Sequence, residues 1–193
     1  MDMYIKDPVT SDAMRVTEEG RATIDSVLLP KIAHVSQKYG EAFILASGFI
    51  ALTTTASFNG MMYFKNTDAQ NRNFKIHHFR ACGGLCAAGS TLQVVVYINP
   101  TTGTLISDAV AGYENNMNTT NSNTLGGLLY APSGDGKTVT DGTYFTQFIN
   151  HAPGHSIQEY DGGIVIGKNK SFTIVVKPSV AMTVCIELIG YYD

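Results

Sequence analysis

The chain has no tryptophan, three cysteines, six prolines and only 15% charged residues among 193. Each shortage excludes something. Without Trp there is no Cys…Trp…Cys signature of an immunoglobulin domain. Cys82, Cys86 and Cys185 are an odd number, which argues against a disulfide framework and predicts free thiols in a reducing cytoplasm. Thirteen Lys and Arg against sixteen Asp and Glu leave a formal net charge of −3 with no basic cluster, so a nucleic-acid partner is not expected. The longest apolar stretch, Ala42 to Leu52, is broken by Ser47 and Gly48 and falls short of the roughly 20 residues that span a bilayer, so no membrane partner is expected either. The N-terminus carries no cationic-then-apolar segment of the secretory kind.

What is present is unevenly distributed. Eleven of the first 39 residues are Asp, Glu, Lys or Arg, against 18 of the remaining 154. Pro8 and Pro30 interrupt the short apolar segments there, and residues 1–39 read as an extended arm, with a β domain from Gly40 to Asp193. Leu92, Val94, Val96 and Ile98 alternate with Gln93, Val95 and Tyr97 and stop at Asn99-Pro100, the pattern of a strand with one apolar face. The same period of two recurs in Phe74/Ile76/His78, Phe172/Ile174/Val176 and Val184/Ile186/Leu188. Glu41–Ala46, Phe49–Thr54, Asn59–Asn66, Tyr144–Ile149 and Gly163–Ile166 are further strands. Gly-, Asn- and Pro-rich turns separate them, and no segment after Gly40 sustains helical periodicity. The fold class is all-β: an antiparallel jelly-roll sandwich of about eight strands. Thr101–Thr124, which contains NNMNTTNSNT, reads as a long surface loop and a candidate contact surface.

Three motifs suggest chemistry. APSGDGKT, Ala131–Thr138, matches a phosphate-binding loop, but TVTDGTYF follows where a phosphate-binding helix would begin, so a β-turn is the better reading. Cys82/Cys86 and His151/His155 supply the residue types of a Cys₂His₂ zinc site, yet Pro153-Gly154 forbids the helix that usually carries the second pair. His77 and His78 are neighbours in a strand and should point to opposite faces. No nucleophile-elbow sequence occurs, and no catalytic, cofactor-binding or metal residue is assigned. The ten tyrosines, among them Tyr130, Tyr144, Tyr160, Tyr191 and Tyr192, offer stacking faces for a glycan.

Several segments also resemble a known family. Val16, Gly20, Arg21, Ala22, Ile24, Ser26 and Val27 are similar to the opening motif of bacteriophage virion accessory proteins of the trimeric jelly-roll head-decoration type. Tyr63-Phe64-Lys65-Asn66-Thr67, the run Gly162–Phe172 and the closing Glu187–Tyr192 resemble three of their strands or hairpins, with Lys168-Asn169 standing where that family has Pro-Gly. The resemblance implies a non-enzymatic virion protein, a homotrimer without cofactors that decorates or cements a phage capsid. Its arm would lie on the major capsid protein or on neighbouring subunits. A glycan- or receptor-binding head-fibre or tail protein is the alternative.

Overall fold

The computed structural model describes residues 3–6, 13–16, 22–23, 31–53, 56–107 and 109–193. Two compact units divide the chain, Met1–Lys31 and Ile32–Asp193. In the first, β1 (Met3–Lys6), β2 (Ala13–Val16) and β3 (Ala22–Thr23) form a three-stranded antiparallel sheet in that order. The segment expected to be an extended arm therefore carries a small meander of its own. Gly20, Arg21, Ile24, Ser26 and Val27 of the resemblance motif lie outside the described residues.

The second unit opens with α1 (Lys31–Tyr39), so its boundary falls at Ile32 and not at Gly40. Ile32 and Val35, three apart and on one helix face, are buried against Ala42, Tyr191 and Ile189. Burying two such side chains contributes roughly 1.5–3 kcal/mol each, which is what a nine-residue helix needs to persist.

Beyond α1 the unit is an all-β sandwich of two antiparallel sheets, the jelly-roll-like class predicted from the period of two. The strands are β4 (Ala42–Ala46), β5 (Ile50–Leu52), β6 (Asn59–Asn66), β7 (Phe74–Gly84), β8 (Ser90–Ile98), then the short α2 (Thr104–Ser107), β9 (Ala109–Ala111), β10 (Tyr113–Asn116), β11 (Gly127–Pro132), β12 (Thr143–Ala152), β13 (Gly154–Ile166), β14 (Ser171–Pro178) and β15 (Met182–Tyr192). One sheet runs β10-β4-β15-β7-β13, with β5 also on β15, and the other runs β12-β8-β14-β6-β11-β9. Six strands per sheet exceed the expected eight in all, chiefly because β9 and β10 lie inside the segment read as loop. Each is short and borrows its pairing from β11 and β4, so neither has a local signal.

The inward faces meet in one core. Leu92, Val94 and Val96 of β8, Phe172, Ile174 and Val176 of β14, and Val184, Ile186 and Leu188 of β15 all point into it, as their alternation predicts. Its centre is aromatic: Phe64 lies 4.7 Å from Phe74 and 5.6 Å from Phe172, and Phe74 lies 5.1 Å from Tyr192 in an edge-on contact. The chain passes between sheets through a single residue twice, at Gly112 between β9 and β10 and at Pro153 between β12 and β13. At Gly112 a Cβ atom would stand 2.7 Å from Leu129 Cγ, so only glycine fits without displacing that core side chain. The Lys168-Asn169 turn joins β13 to β14 with Asn169 at φ 61°, as the substitution for Pro-Gly requires.

Candidate functional site

APSGDGKT does not form a phosphate loop. Strand β11 precedes it, but residues 133–142 hold no helix and lead into β12. Since β6, β14 and β8 lie between β11 and β12 in the sheet, this segment must cross three strands. Its polar groups are spent on that crossing. Asp135 accepts from the amide and hydroxyl of Thr53, the Gly136 amide donates to Asn59 Oδ1, and the Lys137 carbonyl accepts from the Gly60 amide. At the far end Asp141 accepts from the amides of Thr101 and Thr102 and from the Thr101 hydroxyl, which together hold its carboxyl down at about 2. Beneath the crossing, Thr173, Val175 and Tyr63 are buried on the outer side of their sheet.

The cysteine and histidine pairs separate in the fold. Cys82 lies on the outer face of β7, whereas Cys86 in the following turn leans on the core. His155 on β13 is opposite Cys82, and His151 on β12 is opposite Thr91 in the other sheet. Among the described residues no three His, Cys, Asp or Glu side chains come together to hold a metal ion.

His77 and His78 depart from expectation for a nameable reason. Ile189 pairs with His78 and Gly190 with Ile76, so His77 is the extra residue of a bulge. The bulge cancels the alternation, and the two rings lie 5.3 Å apart, both half-buried and neither in the core. Across the bulge, Tyr160–Gly163 of β13 arch outward between Glu159, opposite His78, and Ile164, opposite Ile76. Asp161 at the crest reaches His77 Nδ1 at 3.4 Å. Burial, then His77 beside it, pushes the His78 imidazole down from its usual range.

The tyrosines sort by the fold. Tyr191 and Tyr192 are buried, and Tyr160 packs edge-on against Phe79. Tyr130 and Tyr144 instead belong to one row of cross-strand partners, Tyr144, Tyr97, Thr173, Tyr63 and Tyr130, running over five strands. Tyr63 and Tyr130 stack at 5.7 Å, and Tyr97 and Tyr144 meet edge-on at 6.3 Å. Tyr63 and Tyr97 were not among the tyrosines offered as stacking faces, and no spacing could have put them there, because the row exists only after register is set. Its exposed end is Tyr144, 54% accessible. On the same strands a shallow depression of about 210 Å³ is lined by Thr91, Gln93, Ile149, Lys177, Pro178 and Ser179.

The NNMNTTNSNT segment is built as a collar for a helix end. Asn118 Nδ2 donates to the Ser36 carbonyl, Asn121 and Asn123 Nδ2 to that of Tyr39, and Asn116 Nδ2 to that of Gly40. The Ser36 carbonyl also accepts from the Gly40 amide, so Asn118 adds a second bond there, while the carbonyls of Tyr39 and Gly40 lie past the last intrahelical donor and take these side-chain amides. Asn116, Asn118 and Asn121 also accept amide hydrogens two residues on, folding the collar into successive Asx turns.

A second polar cluster is also structural. Asp68, 4% exposed at its side chain, accepts from Arg72 Nη2 at 2.8 Å, while Arg72 Nη1 reaches Glu41 Oε1 at 2.8 Å. The guanidinium lies 4.9 Å from the Tyr192 ring centroid. Arg72 holds the Asp68 carboxyl below its usual range, and burial raises the Tyr192 hydroxyl.

The most distinctive exposed feature is one flank of the sandwich. β12 and β13 each end a sheet, on the same side, and among the described residues neither pairs with another strand beyond. Thr143–Ala152 contains no charged residue and no proline, and the irregularity at Phe145 is the one edge-blunting device it carries. Tyr144, Phe145 and Ile149 on β12 and Ile157 and Val165 on β13 are exposed there. No helix among the described residues is long and apolar enough to cross a membrane. No family model matches this chain, and neither a curated protein nor a solved structure matches it.

Proposed function

We propose that this chain is a non-enzymatic structural protein of a phage virion, which decorates or cements the capsid as a homotrimer. The observation that carries the reading is the β12/β13 flank: two long edge strands, β12 without a charged residue or proline, that together expose five apolar side chains are what a self-associating subunit presents. The family resemblance supports it and supplies the virion, the capsid partner and the trimer. In this reading the N-terminal unit contacts the major capsid protein or neighbouring subunits. Many such contacts act together, so modest affinity per copy suffices for high occupancy on a capsid.

The test has two arms. Light scattering on the full chain should return three times the monomer mass of 20.8 kDa, and Ile149→Lys with Ile157→Lys should return the monomer with its fold intact. Removal of residues 1–31 should leave the sandwich folded and abolish binding to capsids. A stable wild-type monomer, or undiminished capsid binding by the truncated chain, overturns the respective half of the proposal.

The Tyr97–Tyr144 pair, with Tyr144 exposed at the end of its row, favours a second reading as a glycan-binding fibre or tail protein. Saturable glycan binding lost in Tyr144→Ala would establish it, and a glycan array without hits would remove it.

A further inference from the structure

The sequence pairs Cys82 with Cys86 by spacing, but the fold pairs Cys82 with Cys185. The two are direct cross-strand partners on β7 and β15. Their hydrogen-bonding class follows from a neighbour. The Ile186 amide donates to Ser47 Oγ and its carbonyl accepts from the Ser47 amide, so both Ile186 groups turn away from β7. Backbone groups alternate along an antiparallel strand, so those of Cys185 turn toward β7. Cys82 and Cys185 therefore form a hydrogen-bonded pair, with Cα atoms about 5.5 Å apart. That separation lies inside the roughly 4.4–6.8 Å window of disulfides.

The side chains share a face as well. Opposed residues in an antiparallel pair project on the same side. Ala81, Val184 and Ile186 point into the core, which puts the two half-buried cysteines together on the outer face. Burial, then Cys82 beside it, raises the Cys185 thiol above its usual range. Cys86 is excluded as the partner because it leans on the core from the other side of the sheet. His155, opposite Cys82 on β13, places an imidazole at the same row of the sheet.

We propose that Cys82 and Cys185 are an oxidisable dithiol that closes to a cross-strand disulfide when the protein meets a small-molecule disulfide of the glutathione class. One cysteine thiolate attacks a sulfur of the oxidant, forming a mixed disulfide and expelling one small thiolate. The second cysteine thiolate attacks the protein sulfur of that mixed disulfide and expels the other. Two protein thiols are oxidised, one small disulfide is reduced to two thiols, and the protein's two protons finish on them. The inference is independent of the virion reading and neither stands nor falls with it. Its structural effect is to bolt β15, the middle strand of its sheet, to its neighbour β7 across a loop of about a hundred residues, constraining the unfolded chain strongly.

The test is to incubate the full chain with oxidised glutathione, alkylate it, digest it and map the thiols by mass. The expected result is loss of two hydrogen atoms per chain, a fall from three alkylatable thiols to one, and a linked peptide pair containing Cys82 and Cys185. The oxidised protein should melt several degrees above the reduced protein. Cys86→Ser should leave the reaction unchanged, while Cys185→Ser should stop at the glutathione adduct. Three alkylatable thiols throughout, a Cys82–Cys86 linkage, or disulfides only between chains would each overturn the proposal.

Discussion

Replacing Arg72 by Met should be among the more damaging single changes outside the aromatic core, and its cost should depend on pH in a specified direction. Arg72 is the counter-charge of Asp68, whose side chain is 4% exposed, and also binds Glu41, 17% exposed. Removing one member of a fully buried pair costs roughly 3–5 kcal/mol, because the remaining charge loses its partner without regaining water. The Arg72 side chain is itself 26% exposed, so water reaches the site, and the loss at pH 7 should be about 2–3 kcal/mol. For a unit of this size that corresponds to a fall in Tm of roughly 4–12 °C. In the wild type Asp68 is held below its usual range, so its contribution is present above the ordinary carboxylate pKa of about 4 and fades as pH falls through the lowered value. In the variant the guanidinium is gone while the amides of Gln70 and residue 72 still donate to the carboxylate, so the carboxyl rises relative to the wild type and takes up a proton earlier as pH falls. The gap between variant and wild type should therefore be larger at pH 7 than at pH 4, and adding Asp68→Asn should recover part of it. Urea denaturation at both pH values measures this directly. An equal gap at the two pH values, or a loss near zero at pH 7, would refute the account of the cluster.

Four further outcomes follow from particular contacts. Removing residues 1–31 should leave urea stability of the sandwich intact, whereas removing 1–39 also strips Ile32 and Val35 from Ala42 and Tyr191 and should cost on the order of 3–5 kcal/mol; equal stability of the two would refute the packing of α1. Changing Asn118, Asn121 and Asn123 together to Ala should cost about 1–3 kcal/mol and accelerate amide exchange in α1 selectively, and unchanged exchange would show that the collar does not cap the helix. Gly162→Ala forces a side chain onto φ 80° and against the Tyr191 hydroxyl, so it should cost about 1–2 kcal/mol and perturb the His77 and His78 NMR signals. ATP with Mg²⁺ should leave the Tm unchanged, and a saturable rise would reinstate nucleotide binding at Lys137.

How much was legible in the sequence depended on how local the cause was. Leu92/Val94/Val96 and Phe172/Ile174/Val176 announce their inward faces because a strand's period of two is a property of the strand alone. The replacement of a helix by TVTDGTYF after the glycine-rich turn was equally local. His77 and His78 were misjudged because their bulge is defined by where Gly190 pairs, more than a hundred residues away. The tyrosine row and the opposition of Cys82 to Cys185 have the same origin: register between distant strands decides both. NNMNTTNSNT announced a surface loop by its polarity, yet that polarity is turned inward on the carbonyls of α1, a helix hidden in a segment read as arm.

The single-residue corners at Gly112 and Pro153 have a mechanical consequence. Starting at β10, a path over Gly112 to β9, across one sheet to β12, over Pro153 to β13 and across the other sheet back to β10 returns to its origin, linked at every step by backbone hydrogen bonds or the peptide chain. The two sheets thus behave as a flattened hoop. A shearing load on either one is carried round both flanks into the other, and the layers cannot slide past each other or open like a book unless a strand pair first peels.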